Sequence, residues 1–402
     1  MASLHIFKFI ALFLLCFNLC SSPIISQKTE LIESTSVISG SSQLSQYLTE
    51  IRNKKIGIVV NQSSVIHNTH LLDTLVNLGI DVNCIFTPEH GFRGSEEAGV
   101  LIEDHFDSKT GLPIISLYGK KRKAEPADLQ GIEVILFDLQ DVGVRFYTYI
   151  STLTYMMEAC AENNIKIIVL DRPNPNGYYI DGPLLDSAFA SFVGMHPVPI
   201  VYGMTIGEYA LMVNGEKWLA NKAKCDLRVI PLQNYNRNNI YRLEFPPSPN
   251  LRSWEAVYLY PSLCLFEGTI VSIGRGTEFP FEVYGHPDYP EGSFSFTPKG
   301  NKVLLDEQVC HGQYLVDYAG KYAGNPKQIK LNWIIDCYQK LASEQTYFNS
   351  YFDKLAGNDQ LRKDIESGKP IPEIRKSWES GLDNYKKIRI KYLLYPDFIE
   401  EK

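Results

Sequence analysis

Four runs in this chain, KIGIVVNQ (55–62), VNCIFTPE (82–89), EVILFDLQD (133–141) and KIIVLDRP (166–173), are apolar almost throughout, rich in β-branched residues, and end in polar ones. A strand with one wet face alternates apolar and polar residues. A run without alternation is a strand covered on both faces, the property of a parallel sheet between two helical layers. Stretches of helical period lie between the runs: THLLDTLVNLGI (69–80), TYISTLTYMMEACAENN (148–164) and TIGEYALMVNGEKWLA (205–220). LPIISLYG and DLRVIPL supply further strands. The pattern predicts an α/β fold over 49–235: a doubly wound, mostly parallel, Rossmann-like sheet. From about 236 the rhythm breaks into segments rich in Pro, Gly and aromatics, then becomes helical again. Residues 236–402 are therefore expected to form a second, smaller α+β domain that closes a cleft.

The N-terminus is set aside first. Residues 1–22 carry Lys8, then FIALFLLCFNLC, then Ser21 and Ser22. This is the form of a secretory signal peptide, with lipid anchoring at Cys20 and a buried N-terminal helix as alternatives. The expected location is outside the cytoplasm, periplasmic or extracellular. A membrane is expected as a partner only through that lipid anchor, because no later run is long and apolar enough to span a bilayer. Residues 23–48 are read as an exported lead-in. The formal net charge is −7 and becomes one unit more negative when Lys8 is removed, which argues against nucleic acid. Cys84, Cys160, Cys225, Cys264, Cys310 and Cys337 are scattered in apolar contexts and read as buried thiols.

In open parallel sheets the working groups gather outside the carboxyl ends of the strands. Here the strand ends supply Asn61, then Glu89 and His90, then Tyr118 to Lys121, then Asp138 to Arg145, then Asp171, Arg172 and Asn174. Such a rim of carboxylates, arginines and amides suits a polyol-binding cleft. Loops of the second half add Asn250, Glu267, Arg275 and Glu278.

Cofactor motifs are absent. The chain has no G-x-x-x-x-G-K-[ST], no G-x-G-x-x-G after the first strand, no H-E-x-x-H and no G-x-S-x-G. No cofactor or metal is expected; a site built from His90, His105 and an acid is the metal alternative. Carboxylates remain as the chemical groups, and glycoside cleavage uses them. Glu89 suits the proton donor, because a half-buried strand end favours the protonated form of a carboxyl. Pro88 fixes the chain before it and Gly91 lets the chain turn away. The alternative is a Glu89 that caps a helix or pairs with Arg93. His90 and Asp141 are the other catalytic candidates, His90 being equally readable as a loop hydrogen-bonder. Arg145, beside Tyr147 and Tyr149, is a candidate clamp for an anionic substituent, with a salt bridge to Asp141 or Asp138 as its alternative. Asp171 and Arg172 are candidate binding residues, or a self-paired strand terminus.

The motifs TPEHGFRG, FDLQDVGVRFYTYISTL, VLDRPNPNG, DGPLL, VPIVYGMTIGEYA, PPSPNL, YPSLCLFEGT and SIGRGTEFPFEVYG closely resemble those of the bacterial exo-β-N-acetylmuramidase family, in family order from about residue 55 onward. The resemblance implies an exported glycosidase that removes N-acetylmuramic acid from the non-reducing end of peptidoglycan fragments. It also implies a Rossmann-type domain with a smaller domain across the cleft, and a catalytic glutamate at Glu89. The lactyl carboxylate of such a sugar gives Arg145, Arg172 or Arg275 a ligand, and its acetamide gives Asp141 or Glu267 one. Two other classes remain open: an amidase or esterase using Ser63 or Ser64, and a non-catalytic muropeptide-binding protein.

Overall fold

The computed structural model describes residues 36–89, 91–92, 105–290, 292–324, 327–342 and 346–398. The expected signal peptide, with Cys20, and the first part of the lead-in lie outside them. Six parallel strands form the sheet: β1 (Ile56–Val60), β2 (Val82–Thr87), β3 (Pro113–Ser116), β4 (Val134–Asp138), β5 (Lys166–Leu170) and β6 (Leu227–Ile230). Their spatial order is β3-β2-β1-β4-β5-β6, with His105–Phe106 added antiparallel on the β3 edge. This is the Rossmann order, and its direction reverses between β1 and β4.

Burial explains why these runs became strands. Ile56, Ile58 and Val60 of β1 enter one core, together with Val134 and Leu136 of β4 and Ile168 and Leu170 of β5. Val59, Ile135, Phe137, Ile167 and Val169 enter the other. Period-two alternation is thus present, but both faces are apolar because both are covered. The helices α1 (Leu71–Asn77), α2 (Tyr149–Asn163) and α3 (Ile206–Gly215) provide cover. Helix α3 opens on a capping box, Thr205 with Glu208. It ends at Gly215, earlier than its sequence pattern suggests, and Lys217 beyond it takes a positive φ of 58°.

The second half contains α4 (Trp254–Leu263), then an antiparallel sheet of β7 (Val283–His286), β8 (Phe294–Phe296) and β9 (Cys310–Tyr314) in the order β7-β9-β8. Helices α5 (Leu331–Leu341), α6 (Ser350–Ala356) and α7 (Glu379–Arg389) follow, with shorter ones between. Tyr260, Phe281, Trp333, Phe352 and Trp378 share the core that contains Val59 and Phe137. No helix among the described residues is long and apolar enough to cross a membrane. The six described cysteines are buried free thiols.

The described end of the lead-in belongs to the folded unit Val37–Lys402. Ile38 bridges Gln233, and the Gly40 N–H donates to the Asp171 carbonyl at 2.9 Å. A Cβ at Gly40 would lie 2.5 Å from backbone atoms of Asp171 and Ile230, so only glycine fits there. Tyr47 is fully buried and donates to the Ser41 carbonyl at 2.8 Å.

Two neighbouring strand ends are tied by charge. Arg172, after β5, forks onto Asp138 at the end of β4 with Nε–Oδ1 at 2.6 Å and Nη2–Oδ2 at 2.8 Å. Asp138 is 0% and Arg172 8% exposed. Asp138→Ala is therefore expected to leave a buried guanidinium without its counter-ion and to cost about 3–5 kcal/mol, read as a lower midpoint in urea unfolding.

Candidate active site

A cavity of about 320 Å³ opens above the carboxyl ends of the strands, and both halves of the chain line it. Glu89 enters it directly after β2. The Gly91 N–H returns to the Pro88 carbonyl at 3.2 Å, and Gly91 takes φ 69°, a turn that a side chain would strain. Tyr118 and Arg122 arrive from the segment after β3, and Tyr147 and Tyr149 from the end of the β4–α2 connection. The second half adds Asn250, Tyr260, Cys264, Glu267, Arg275, Tyr351 and Lys354.

Phenols surround Glu89. Burial raises the Tyr118 hydroxyl above its ordinary range, and the charge of Glu89, with which it is hydrogen-bonded, raises it further. Burial also raises Tyr147, Tyr149 and Tyr351, and the Glu89 charge adds to the shift of each. These hydroxyls therefore stay protonated and remain hydrogen-bond donors. Tyr147 donates to the Pro247 carbonyl at 2.9 Å, and Asn61 Nδ2 donates to the Tyr149 hydroxyl at 2.8 Å. The two rings meet edge to face with centroids 4.7 Å apart. Among the described residues no ion pair involves Glu89; Arg93, the partner considered for it, lies outside them, as does His90.

The other carboxylate of the wall is held differently. Arg275 donates from Nε to Glu267 Oε1 at 2.6 Å, and its Nη2 lies at the same distance from that oxygen. The Cys264 thiol reaches Glu267 Oε2 at 3.7 Å. Burial alone would lower Arg275, but the Glu267 carboxylate overrides it and holds the guanidinium above its ordinary value. Arg275 also sits over the Phe281 ring at 5.0 Å. The cavity thus carries two carboxylates with different environments, one ion-paired and one among neutral donors.

The structure brings Glu89, Tyr147, Asn250, Glu267 and Arg275 together and assigns the other described candidates elsewhere. Asn61 is buried behind Tyr149 and takes up Ser63 through Oδ1. Asp141 is not at the rim: it is 4% exposed, accepts from the Gly143 N–H at 2.6 Å and from the Tyr202 hydroxyl, and braces the β4–α2 connection. Arg145 is fully buried and clamps no ligand. It donates to the carbonyls of Pro183, Val198, Leu355 and Ala356 at 2.7–2.9 Å, fastening the C-terminus of α6 to the loops beneath the cavity. Asp171 accepts from Thr205, Gly207 and Tyr395 and so fixes the start of α3. Arg172 is occupied by Asp138. Asn174 donates to the Met204 carbonyl at 2.7 Å and accepts from the Asn176 N–H at 2.8 Å. Glu278 is exposed and outside the cavity wall.

Sequence reasoning missed Arg122, Tyr260, Tyr351 and Lys354. Tyr351 and Lys354 carried a faint signal: they are three residues apart, hence on one face of α6. Ser63 and Ser64 are buried, and their hydroxyls donate to Asn61 Oδ1 and the Asp138 carbonyl. Among the described residues neither hydroxyl is hydrogen-bonded to a histidine, the commonest base for a serine nucleophile.

Comparison with known proteins agrees along the chain. Residues 56–255 match the family described as exo-β-N-acetylmuramidase NamZ, N-terminal, and residues 258–395 match its C-terminal counterpart. Peptidoglycan β-N-acetylmuramidase NamZ of Bacillus subtilis (strain 168) is 40% identical over 381 residues, covering 88% of this chain and 89% of that protein. A crystal structure of a DUF1343 family protein from Bacteroides fragilis NCTC 9343 superposes with a TM-score of 0.81 at 44% identity, over 90% of this chain and 100% of that one. A second from the same organism gives 0.78 at 28% identity, over 90% and 99%.

Two outcomes follow from the buried charges. Arg145→Ala strands four carbonyls, two of them at a helix end, and is expected to cost about 3 kcal/mol or more, read by urea unfolding. Burial pushes the Asp141 carboxyl up to about 7, against the hydrogen bonds from Tyr202 and Gly143. The folded chain therefore keeps this proton where the unfolded chain has released it. Its contribution favours folding below the ordinary carboxylate range and is lost as pH rises toward about 7. Asp141→Asn is expected to gain stability relative to wild type across that window, measured by unfolding at several pH values.

Proposed function

The chain belongs to the NamZ exo-β-N-acetylmuramidase family, and from that premise we propose that Glu89 is the proton donor of the glycosidase. The enzyme is an exo-acting β-N-acetylmuramidase of peptidoglycan. The fragments proposed as substrates end in N-acetylmuramic acid at their non-reducing ends. The observation that carries the Glu89 assignment is its position: alone of the strand-end carboxylates it reaches the cavity, and it does so among phenols, with no cation paired to it among the described residues.

In the proposed reaction the Glu89 carboxyl gives its proton to the glycosidic oxygen as the bond from that oxygen to the anomeric carbon breaks. Positive charge develops on the sugar ring, as in other glycoside cleavages. Of Asp141 and Glu267, only Glu267 lines the cavity, so it is the carboxylate able to face the sugar and orient its acetamide or a water. The cavity, about 320 Å³, lies near the lower end of ligand pockets, roughly 300–1,000 Å³. Such a volume suits one terminal sugar better than a run of them, which supports exo action. An extracytoplasmic polymer as substrate supports export of the chain, the reading drawn from residues 1–22.

Glu89→Gln tests the assignment. Turnover of a disaccharide with N-acetylmuramic acid at its non-reducing end should fall by about 10²–10⁴, the usual weight of general acid catalysis. The loss should be larger for a disaccharide, whose departing alkoxide needs the proton, than for a nitrophenolate, which does not. Equal losses on the two leaving groups, or none, would remove Glu89 from the donor role.

A further inference from the structure

An N-acetylmuramyl residue differs from an N-acetylglucosaminyl residue by the lactyl ether, whose carboxylate is anionic at neutral pH. A cavity selective for it needs a cation that is not already neutralised. Among the described residues the lining contains three cations: Arg122, Arg275 and Lys354. Arg275 is committed to Glu267. The arginines at strand ends nearest in sequence, Arg145 and Arg172, are buried in backbone carbonyls and in Asp138.

Arg122 is placed differently from its neighbours. Lys121 pairs with Asp128 at 3.0 Å, and Lys123 with Glu158 at 3.3 Å and Glu162 at 2.7 Å. Among the described residues no carboxylate pairs with Arg122; its guanidinium lies over the Phe192 ring, 4.5 Å from the centroid. Phe192 is itself fixed, stacked on Tyr155 at 6.1 Å and accepting from the Ser151 hydroxyl through its carbonyl at 2.7 Å. A guanidinium held flat on an aromatic face keeps its edge donors available, and those donors match the two oxygens of a carboxylate. Arg122 is also close to the reacting centre. Its charge acts on Tyr118, the phenol hydrogen-bonded to Glu89, as does that of Arg275, which is already paired with Glu267. A lactyl carboxylate lies only a few bonds from the anomeric carbon, so its receptor must lie near the proton donor.

We infer that Arg122, seated on Phe192, receives the lactyl carboxylate and sets the preference for muramyl over glucosaminyl termini. The inference rests on the muramidase reading above. Its test compares wild type with Arg122→Ala, Arg122→Gln and Lys354→Ala in the full chain. The substrates share one chromogenic leaving group: the N-acetylmuramide, its lactyl methyl ester, and the N-acetylglucosaminide. Both Arg122 variants should lose about 10- to 100-fold in kcat/KM on the free acid, the range of a charge-assisted hydrogen bond, and little on the ester or the glucosaminide. Wild type and the Arg122 variants should therefore converge on the ester. An equal loss on acid and ester, or selectivity that disappears in Lys354→Ala and persists in Arg122→Ala, overturns the inference.

A binding arm separates this from the Glu89 reading. On a Glu89→Gln background, free N-acetylmuramic acid should bind more tightly than its methyl ester, and Arg122→Ala should erase the difference. Failure of the Glu89 assignment appears as turnover in Glu89→Gln. Failure of the Arg122 inference appears as an acid-to-ester affinity ratio that Arg122→Ala leaves unchanged.

Discussion

Burial of the parallel sheet on both faces is the constraint from which the rest follows. With Val59 and Phe137 in one core and Val60 and Leu136 in the other, the central strands have no wet face for a polar group. Polar side chains can stand only where the strands end, and the carboxyl ends of six parallel strands lie along one side. Crowding is the consequence. Charges brought to one half-buried rim must be paired or hydrogen-bonded, because an uncompensated buried charge costs several kcal/mol, on the order of 3–5. Asp138 and Arg172 answer each other, and Asp171 takes three donors from α3 and the C-terminal segment. The cavity receives what the rim itself does not use.

That division explains what was readable in advance. The strands were legible because double burial writes an uninterrupted apolar run, and the site's location followed from where those runs ended. Glu89 stood out because it follows a strand directly and is succeeded by a glycine that must turn. The division of labour among the rim charges was not legible. Asp138 and Arg172 lie 34 residues apart, and nothing local says that their strands are neighbours. Arg145 was misleading for a related reason: its partners Leu355 and Ala356 lie 210 and 211 residues away, and carbonyl acceptors leave no mark on a sequence. An arginine within VGVRFYTY looks like a ligand clamp, but the apolar flanks record its burial.

Arg145 nonetheless bears on the site through α6. That helix is short, from Ser350 to Ala356, and brings Tyr351 and Lys354 to the cavity wall. So short a helix has little stability of its own and takes its position from what holds it. Its last carbonyls point at the Arg145 guanidinium, and Gly357 beyond them leaves no room for a side chain, since a Cβ there would lie 2.5 Å from Nη2. Burial pulls Arg145 down to about 9, but the charged form is kept by carbonyl dipoles converging from three segments. The residue thus ties the part of the cavity contributed by the second half to the loops that follow the sheet.

Charge at the cavity has to be judged locally rather than from the total. The chain carries a formal net charge of −7, which taken as a whole would repel an anionic sugar. Exposed charges are screened beyond roughly 8 Å at physiological ionic strength, so the sum over the surface says little about one pocket. Within the pocket the balance is set by neighbours. Glu267 cancels Arg275, Glu89 stands among neutral phenols, and among the described residues no acid pairs with Arg122. The phenols also cannot add negative charge, because burial and the nearby carboxylate keep their protons on. An acidic protein can therefore present a wall in which one cation is matched by a carboxylate and another lies on an aromatic face.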